Sequence, residues 1–442
     1  MSKQNGAPRL DDKKTITSWV LYDWANSAFA TTVIAGFFPS FFESFWVTPL
    51  VKDNALALLG FGNSIASIIV AAIAPFLGSI ADNMSGKKKF LLFFAVLGII
   101  MTGGLWLLAA GQWVFAILFY VTGAIGFSGA NIFYDSLLPA VASKKKADYV
   151  SSLGFAIGYI GGGLLFTVNV LMFLLPGLFG LPNEIVAVQV SFLTVAIWWA
   201  GFSIPIFLFV KEPVLRQKAN FKDAIGLGMK QLKETFNHLR ALKIVALFLF
   251  AYWFYIDGVD TIIRMAVIYG QTLGFDSTAL IGALLITQFV AFPGTILYNK
   301  FAQKIGVKNG VLVAIGIYCV ITVVGFFMQN EIHFFSLAIA IGFVQGGIQA
   351  LSRSLYNRII PADKAAQFFG FFNMLGKFAA VIGPSLMAVV QIMATGLTGD
   401  TFLATRYSIL SILVLFIIGA ILLAKVDIEQ GEKMSEEFLA EI

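Results

Sequence analysis

Twelve predominantly apolar runs, each long enough to cross a bilayer as a helix, leave this chain few choices of fold. They fall at 17–46, 56–81, 90–109, 113–138, 150–175 and 187–210. After a polar stretch they resume at 243–271, 278–299, 310–329, 333–357, 368–395 and 403–424. A backbone in hydrocarbon must satisfy its own hydrogen bonds, and an open segment does so only as a helix. Of the 442 residues, 59% are hydrophobic and 12% charged, half the charged share of a soluble domain. The expected fold is an all-α membrane protein with twelve transmembrane helices.

Lys and Arg set the expected orientation. With the N-terminus in the cytoplasm, 26 of the 30 Lys and Arg fall in the tails, loops and span ends on that side. Lys52 and Arg406 lie opposite, and Arg264 and Lys377 lie within spans. This asymmetry predicts a multi-pass protein of the cell (inner or plasma) membrane with both termini cytoplasmic. It also accounts for the net charge of +6 without a nucleic-acid partner. The first sixteen residues lack the apolar core of a signal peptide, so the first run is expected to be retained. Between 211 and 242, Phe221, Ile225, Met229, Leu232, Phe236 and Leu239 recur at helical spacing, predicting an amphipathic surface linker. The expected organisation is a tail (1–16), a six-helix bundle (17–210), the linker (211–242), a second bundle (243–424) and a tail (425–442).

The two bundles repeat. At an offset of 222, Pro139 matches Pro361, Leu153-Gly154 matches Leu375-Gly376, and Ile160-Gly161 matches Ile382-Gly383. Near an offset of 234, Asp23-Trp24-Ala25-Asn26 matches Asp257-Gly258-Val259-Asp260. Two pseudo-symmetric six-helix bundles suit a secondary transporter, in which one bundle rocks against the other around a midplane site.

This layout resembles the major facilitator superfamily. Its signature between the second and third spans is matched by Gly78, Asp82, Gly86, Lys87 and Lys88, with Asn83 where the family prefers Arg and one extra residue between Asp and Gly. The resemblance implies that Asp82, Lys87 and Lys88 latch one conformation. A weaker echo lies at Gln303, Gly306 and Lys308. Three longer stretches, Ser18–Phe29, Ser152–Gly163 and Gly346–Ser354 with Phe368-Phe369-Gly370 and Gly376-Lys377, resemble the vacuole effluxer-like family. That family comprises autophagy-related amino-acid effluxers of fungal vacuoles and their bacterial relatives. The resemblance implies the fold, and an amino acid or similar zwitterion as cargo.

Polar residues inside spans are costly and tend to face a cavity or a partner. At 100° per residue, Asp23 and Asn26 share a face of the first span, Asn131 and Asp135 of the fourth, and Trp253, Asp257, Asp260 and Arg264 of the seventh. Gln345, Gln349 and Arg353 share one on the tenth. Spans one, four, seven and ten line the cavity in the superfamily this chain resembles. The candidate substrate-binding residues are therefore Asp23, Asn26, Asn131, Trp253, Asp257, Asp260, Arg264, Gln345 and Gln349. Asp135 and Arg353, near cytoplasmic span ends, are candidate gate residues or snorkelling groups, as is Lys377. Asp260 and Arg264, one turn apart, can neutralise each other, leaving Asp257 as the surplus carboxylate. Asp257, Asp260 and Asp23 are the candidate proton-coupling residues.

Other chemistries have little to build on. One cysteine and two histidines offer no disulfide and no Cys/His metal cluster. Gly370 to Lys377 echoes a nucleotide loop, but with one residue too many and with Phe378 where Ser or Thr must hold magnesium. The expectation is a monomeric, cofactor-free, non-enzymatic secondary transporter in the lipid bilayer, carrying a small solute and coupled to protons. The alternatives are a carrier of a muropeptide, nucleoside or lipid-like solute, and a membrane sensor or scaffold.

Overall fold

Twelve long helical segments appear in the computed structural model, which describes residues 10–48, 55–84, 86–212 and 242–440. Helices α1 to α6 are Lys13–Trp46, Ala55–Met84, Lys87–Leu107, Trp113–Ser136, Ala147–Leu174 and Glu184–Phe209. Helices α7 to α12 are Lys243–Thr272, Ser277–Ile305, Val307–Phe326, Glu331–Ile359, Ala365–Thr398 and Phe402–Ala424. Eleven of these, among the described residues, are long and apolar enough to cross a membrane, and α11 carries the apolar stretch Ile382–Thr398. Almost all of the 211–242 linker lies outside the described residues. The second tail holds a further amphipathic helix, α13 (Ile428–Ala440), which the sequence reading left as plain tail.

Local chemistry sets the ends and bends. Asp12 caps α1 by accepting from the Thr15 backbone N–H at 3.0 Å, and Asn183 and Asn330 cap α6 and α10 in the same way. Beyond Ala28, α1 slips into a wider π-helical ladder over Phe29–Phe37 and again over Phe42–Trp46, around Pro39. Pro75, Pro205, Pro293 and Pro384 each remove a donor inside α2, α6, α8 and α11.

Each bundle has its own apolar core, one around Trp19, Phe38, Trp46 and Trp199, the other around Phe248, Tyr255, Tyr318 and Phe416. Large side chains such as Leu107, Ile197, Phe327 and Ile392 are exposed on the outside, where lipid takes the place of water. Between the bundles, α2 runs along α11, and α5 along α8 and α10. The first contact is close because Gly78 has no side chain: a Cβ there would stand 2.3 Å from the Ala366 carbonyl oxygen.

The repeat extends to individual contacts. Lys88 at the start of α3 donates to the Phe207 and Val210 carbonyls at the end of α6, and Lys308 at the start of α9 donates likewise to Ala424 and Val426 at the end of α12. Glu212 accepts the Lys87 and Lys88 backbone N–H groups, while its partial burial pushes its carboxyl up. One register differs from the sequence reading. Trp19 stacks on Tyr134 and Phe248 on Tyr356, so α1 and α7 correspond at an offset of 229, not near 234. Tyr252, and not Asp257, therefore stands where Asp23 stands in the first bundle. A match of two Asp residues in short polar strings cannot fix a register that ring packing decides.

Candidate functional site

A cavity of about 190 Å³ lies between the bundles, lined from α1, α4, α5, α7, α10 and α11. Its polar lining comprises Asp23, Asn131, Tyr134, Asp135, Asp260, Gln349, Arg353 and Asn373, with Phe155, Tyr252, Ile256 and Phe372 as apolar walls. That is smaller than pockets for drug-sized ligands and suits a small solute.

Arg353 dominates the site. It projects from α10 of the second bundle, is 3% exposed, and is held almost entirely by the first bundle. Its Nη1 donates to Asp135 Oδ1 at 3.0 Å and stands 3.6 Å from Asp23 Oδ2. Nε and Nη2 donate to the Ser151 hydroxyl and carbonyl, each at 2.9 Å. The guanidinium lies over the rings of Phe155 and Trp19, 4.2 and 4.9 Å from their centres. A fork of five donors is what such a planar, many-sided grip requires. The Tyr134 hydroxyl donates to Asp23 at 2.7 Å, and Asn373 of α11 donates to Asp135 at 3.3 Å. Gly154 leaves the room: a Cβ there would come within 2.7 Å of Asp23 Oδ2 and 3.1 Å of Arg353 Nη2. Two carboxylates and one guanidinium sum to −1 when all are ionised, an arrangement that is stable only while each charge keeps its partners.

Further cross-bundle bonds lie toward the end that carries the basic loops. Asp148, at the start of α5, accepts from Arg358 and Ser354 of α10. The Ser151 hydroxyl donates to the Ala350 carbonyl at 2.9 Å. Asp82 pairs with Lys87 at 2.9 Å and accepts the Ala366 and Gln367 backbone N–H groups at 3.2 and 2.9 Å. It thereby satisfies two orphan donors at the start of α11.

The expected site residues divide by position. Asp23, Asn131, Asp135, Asp260, Gln349 and Arg353 line the cavity. Asn26 is buried just beyond it, donating to Asn131 at 2.6 Å, and Gln349 accepts from Tyr159 at 2.5 Å. Trp253 is half-buried with an unpartnered indole N–H and is not in the lining. Gln345 reaches a separate apolar cavity of about 80 Å³ among α7 to α12. Asp257 is fully buried against α11, and Arg264 is exposed; neither lines the site. Lys88 spends its ammonium within the first bundle, capping the end of α6. Lys377 follows the lining residue Gly376, and its side chain lies outside the described residues.

Sequence reasoning missed Tyr134, Ser151, Phe155, Tyr252, Phe372 and Asn373. Tyr134 adjoins Asp135 and Asn373 sits within the α11 stretch that carried the resemblance, so position offered a signal for both. The three other aromatics were indistinguishable from core residues in a chain with 45 Phe. Asp148 and Arg358 lie just outside the apolar runs, and only the fold brings them together.

Comparison with known proteins agrees with this geometry. The sequence profile of the vacuole effluxer Atg22-like family matches residues 47–436. An uncharacterised transporter of the major facilitator type from Bacillus subtilis, YxiO, is 39% identical over 96% of this chain and 97% of its own. Autophagy-related protein 22 of Kluyveromyces lactis is 22% identical over 96% of each chain. Among solved structures, the human organic anion transporter MFSD10 (TETRAN) superposes with a TM-score of 0.67 at 16% identity, over 94% of this chain and all of that one.

Proposed function

The chain belongs to the vacuole effluxer Atg22-like family of major facilitator transporters, and we propose that it moves a small zwitterionic solute, an amino acid or a close analogue, by alternating access coupled to protons. The observation that carries this reading is Arg353 of the second bundle, gripped by Asp23 and Asp135 of the first at a cavity both bundles line. A cargo carboxylate competes with Asp23 and Asp135 for the guanidinium, and a cargo ammonium is attracted by those same carboxylates. A proton on Asp23 or Asp135 loosens the grip on Arg353 in the same sense. Cargo and proton therefore act on one contact, the one that must break before the basic end opens. Of the candidate coupling carboxylates, Asp23 and Asp260 line the cavity and Asp257 lies off it; Asp23, with Asp135, is the one that faces Arg353. The excess of Lys and Arg at that end supports a cell-membrane protein with both termini in the cytoplasm.

Flux of labelled amino acids into liposomes, with and without an imposed pH gradient, tests this reading. Asp23→Asn is expected to abolish gradient-driven accumulation while retaining exchange of cargo for cargo, because exchange never requires the empty carrier to reset. Gradient-driven uptake that survives in Asp23→Asn and Asp135→Asn alike removes both from coupling. Transport of nucleosides or muropeptides but of no amino acid overturns the cargo class.

A further inference from the structure

Asp257 is a buried carboxyl that the cavity does not use. It sits in the interior of α7 with no exposed surface. Its Oδ1 accepts the Gly383 backbone N–H of α11 at 3.0 Å and the Thr261 hydroxyl at 3.2 Å. Its Oδ2 is buried without a hydrogen-bond partner. Gly383 directly precedes Pro384, where α11 cannot continue its ladder: proline has no N–H, and the Ala380 carbonyl four residues earlier loses its helical donor. The carboxyl is thus bonded to a continuous helix at the break in its hydrogen-bond ladder.

An ionised carboxylate with one oxygen buried and unpartnered is strongly disfavoured, and such groups relieve the cost by taking a proton. An alkali or divalent cation is a poorer fit. It needs several oxygens turned toward it, whereas the groups around Oδ1 point hydrogens at the carboxyl. Asp260, three residues along α7, is the acidic neighbour on the same helix and lines the cavity instead. From α12, Phe416 fills the space beside Gly258. Arg264 is two turns along and exposed, and the Lys377 side chain of α11 lies outside the described residues.

We propose that Asp257 is a proton-binding site separate from the cargo cavity, with the proton on Oδ2 while Oδ1 anchors the break in α11 at Pro384. The same helix brings Ala366 and Gln367 to Asp82, and Asn373 to Asp135. The proton therefore acts on a helix that bonds across the bundles at the basic end. This site does not depend on what the cavity carries.

Infrared difference spectroscopy on the purified full-length protein, without cargo, tests the proposal. A protonated-carboxyl band is expected at neutral pH in the wild type and is expected to disappear in Asp257→Asn. Thr261→Val keeps the carboxyl but removes a donor that stabilises its charged form, so the band should persist to higher pH, with proton affinity raised about tenfold. Asp23→Asn should leave this component in place. A band unchanged in Asp257→Asn, or a titration unmoved in Thr261→Val, overturns the proposal. If Asp257→Asn fails to fold, the Thr261→Val titration decides alone.

Discussion

The two ends of the bundle interface are built differently. At the basic end, charge crosses between the bundles repeatedly: Arg353 to Asp135 and Asp23, Arg358 to Asp148, and the carboxylate of Asp82 to the start of α11. In the opposite half, Gln288 of α8 reaches Thr31 of α1 across a long 3.3 Å. Here Thr31 belongs to the π-helical stretch of α1, which packs against α5 and α6 of its own bundle. Buried charge pairs break at a high cost and all at once, whereas a single neutral amide–hydroxyl contact is worth about 1 kcal/mol. The difference puts the buried charge pairs, and with them the larger cost of separating polar contacts, at the basic end, where the proposed cycle places the latch.

Removing the guanidinium should have the largest effect. Arg353→Gln leaves Asp23 and Asp135 buried without their cation, a loss of about 3–5 kcal/mol of closing energy. Spin labels at Lys145 and Asp363, one on each bundle at the basic end, should move apart, and cargo flux should cease. Unchanged label distances would mean that the charges do not hold that end shut.

Asp82→Asn is a smaller break. It keeps the packing of α2 on α11 but loses the ion pair with Lys87 and weakens the two bonds to α11, interactions worth about 1.5–3 kcal/mol when charged. The same label pair should report a shift of roughly tenfold toward separation. Turnover should slow while cargo affinity at the cavity stays near normal. A large affinity loss with normal interconversion would remove Asp82 from the latch.

The tail helix should matter least. Lys144 pairs with Glu436 of α13 at 3.0 Å, across the bundles, yet both side chains are more than half exposed. Pairs of that kind contribute about 0–1 kcal/mol and weaken with salt. Lys144→Ala should change transport by no more than about twofold. A larger effect would assign α13 a share of the latch and redraw the contrast between buried and exposed charge.

The sequence alone determined the parts that depend on local pattern. Apolar runs of sufficient length must be helices in lipid, so the spans were legible to within a few residues. The sidedness of Lys and Arg follows from where charge can be solvated. Stripes at 100° per residue put Asp23, Asn131, Asp135, Asp260, Gln349 and Arg353 on the faces that the cavity uses. Only the tertiary structure separated Asp260 from Asp257. The two lie less than one turn apart, and the rotation of α7 against α11 decides which meets the cavity and which meets the break at Pro384. The tertiary structure likewise joined Arg353 to Asp23 across 330 positions of chain. A partner so distant leaves no trace in spacing or periodicity, because the contact exists only where two separately folded bundles meet.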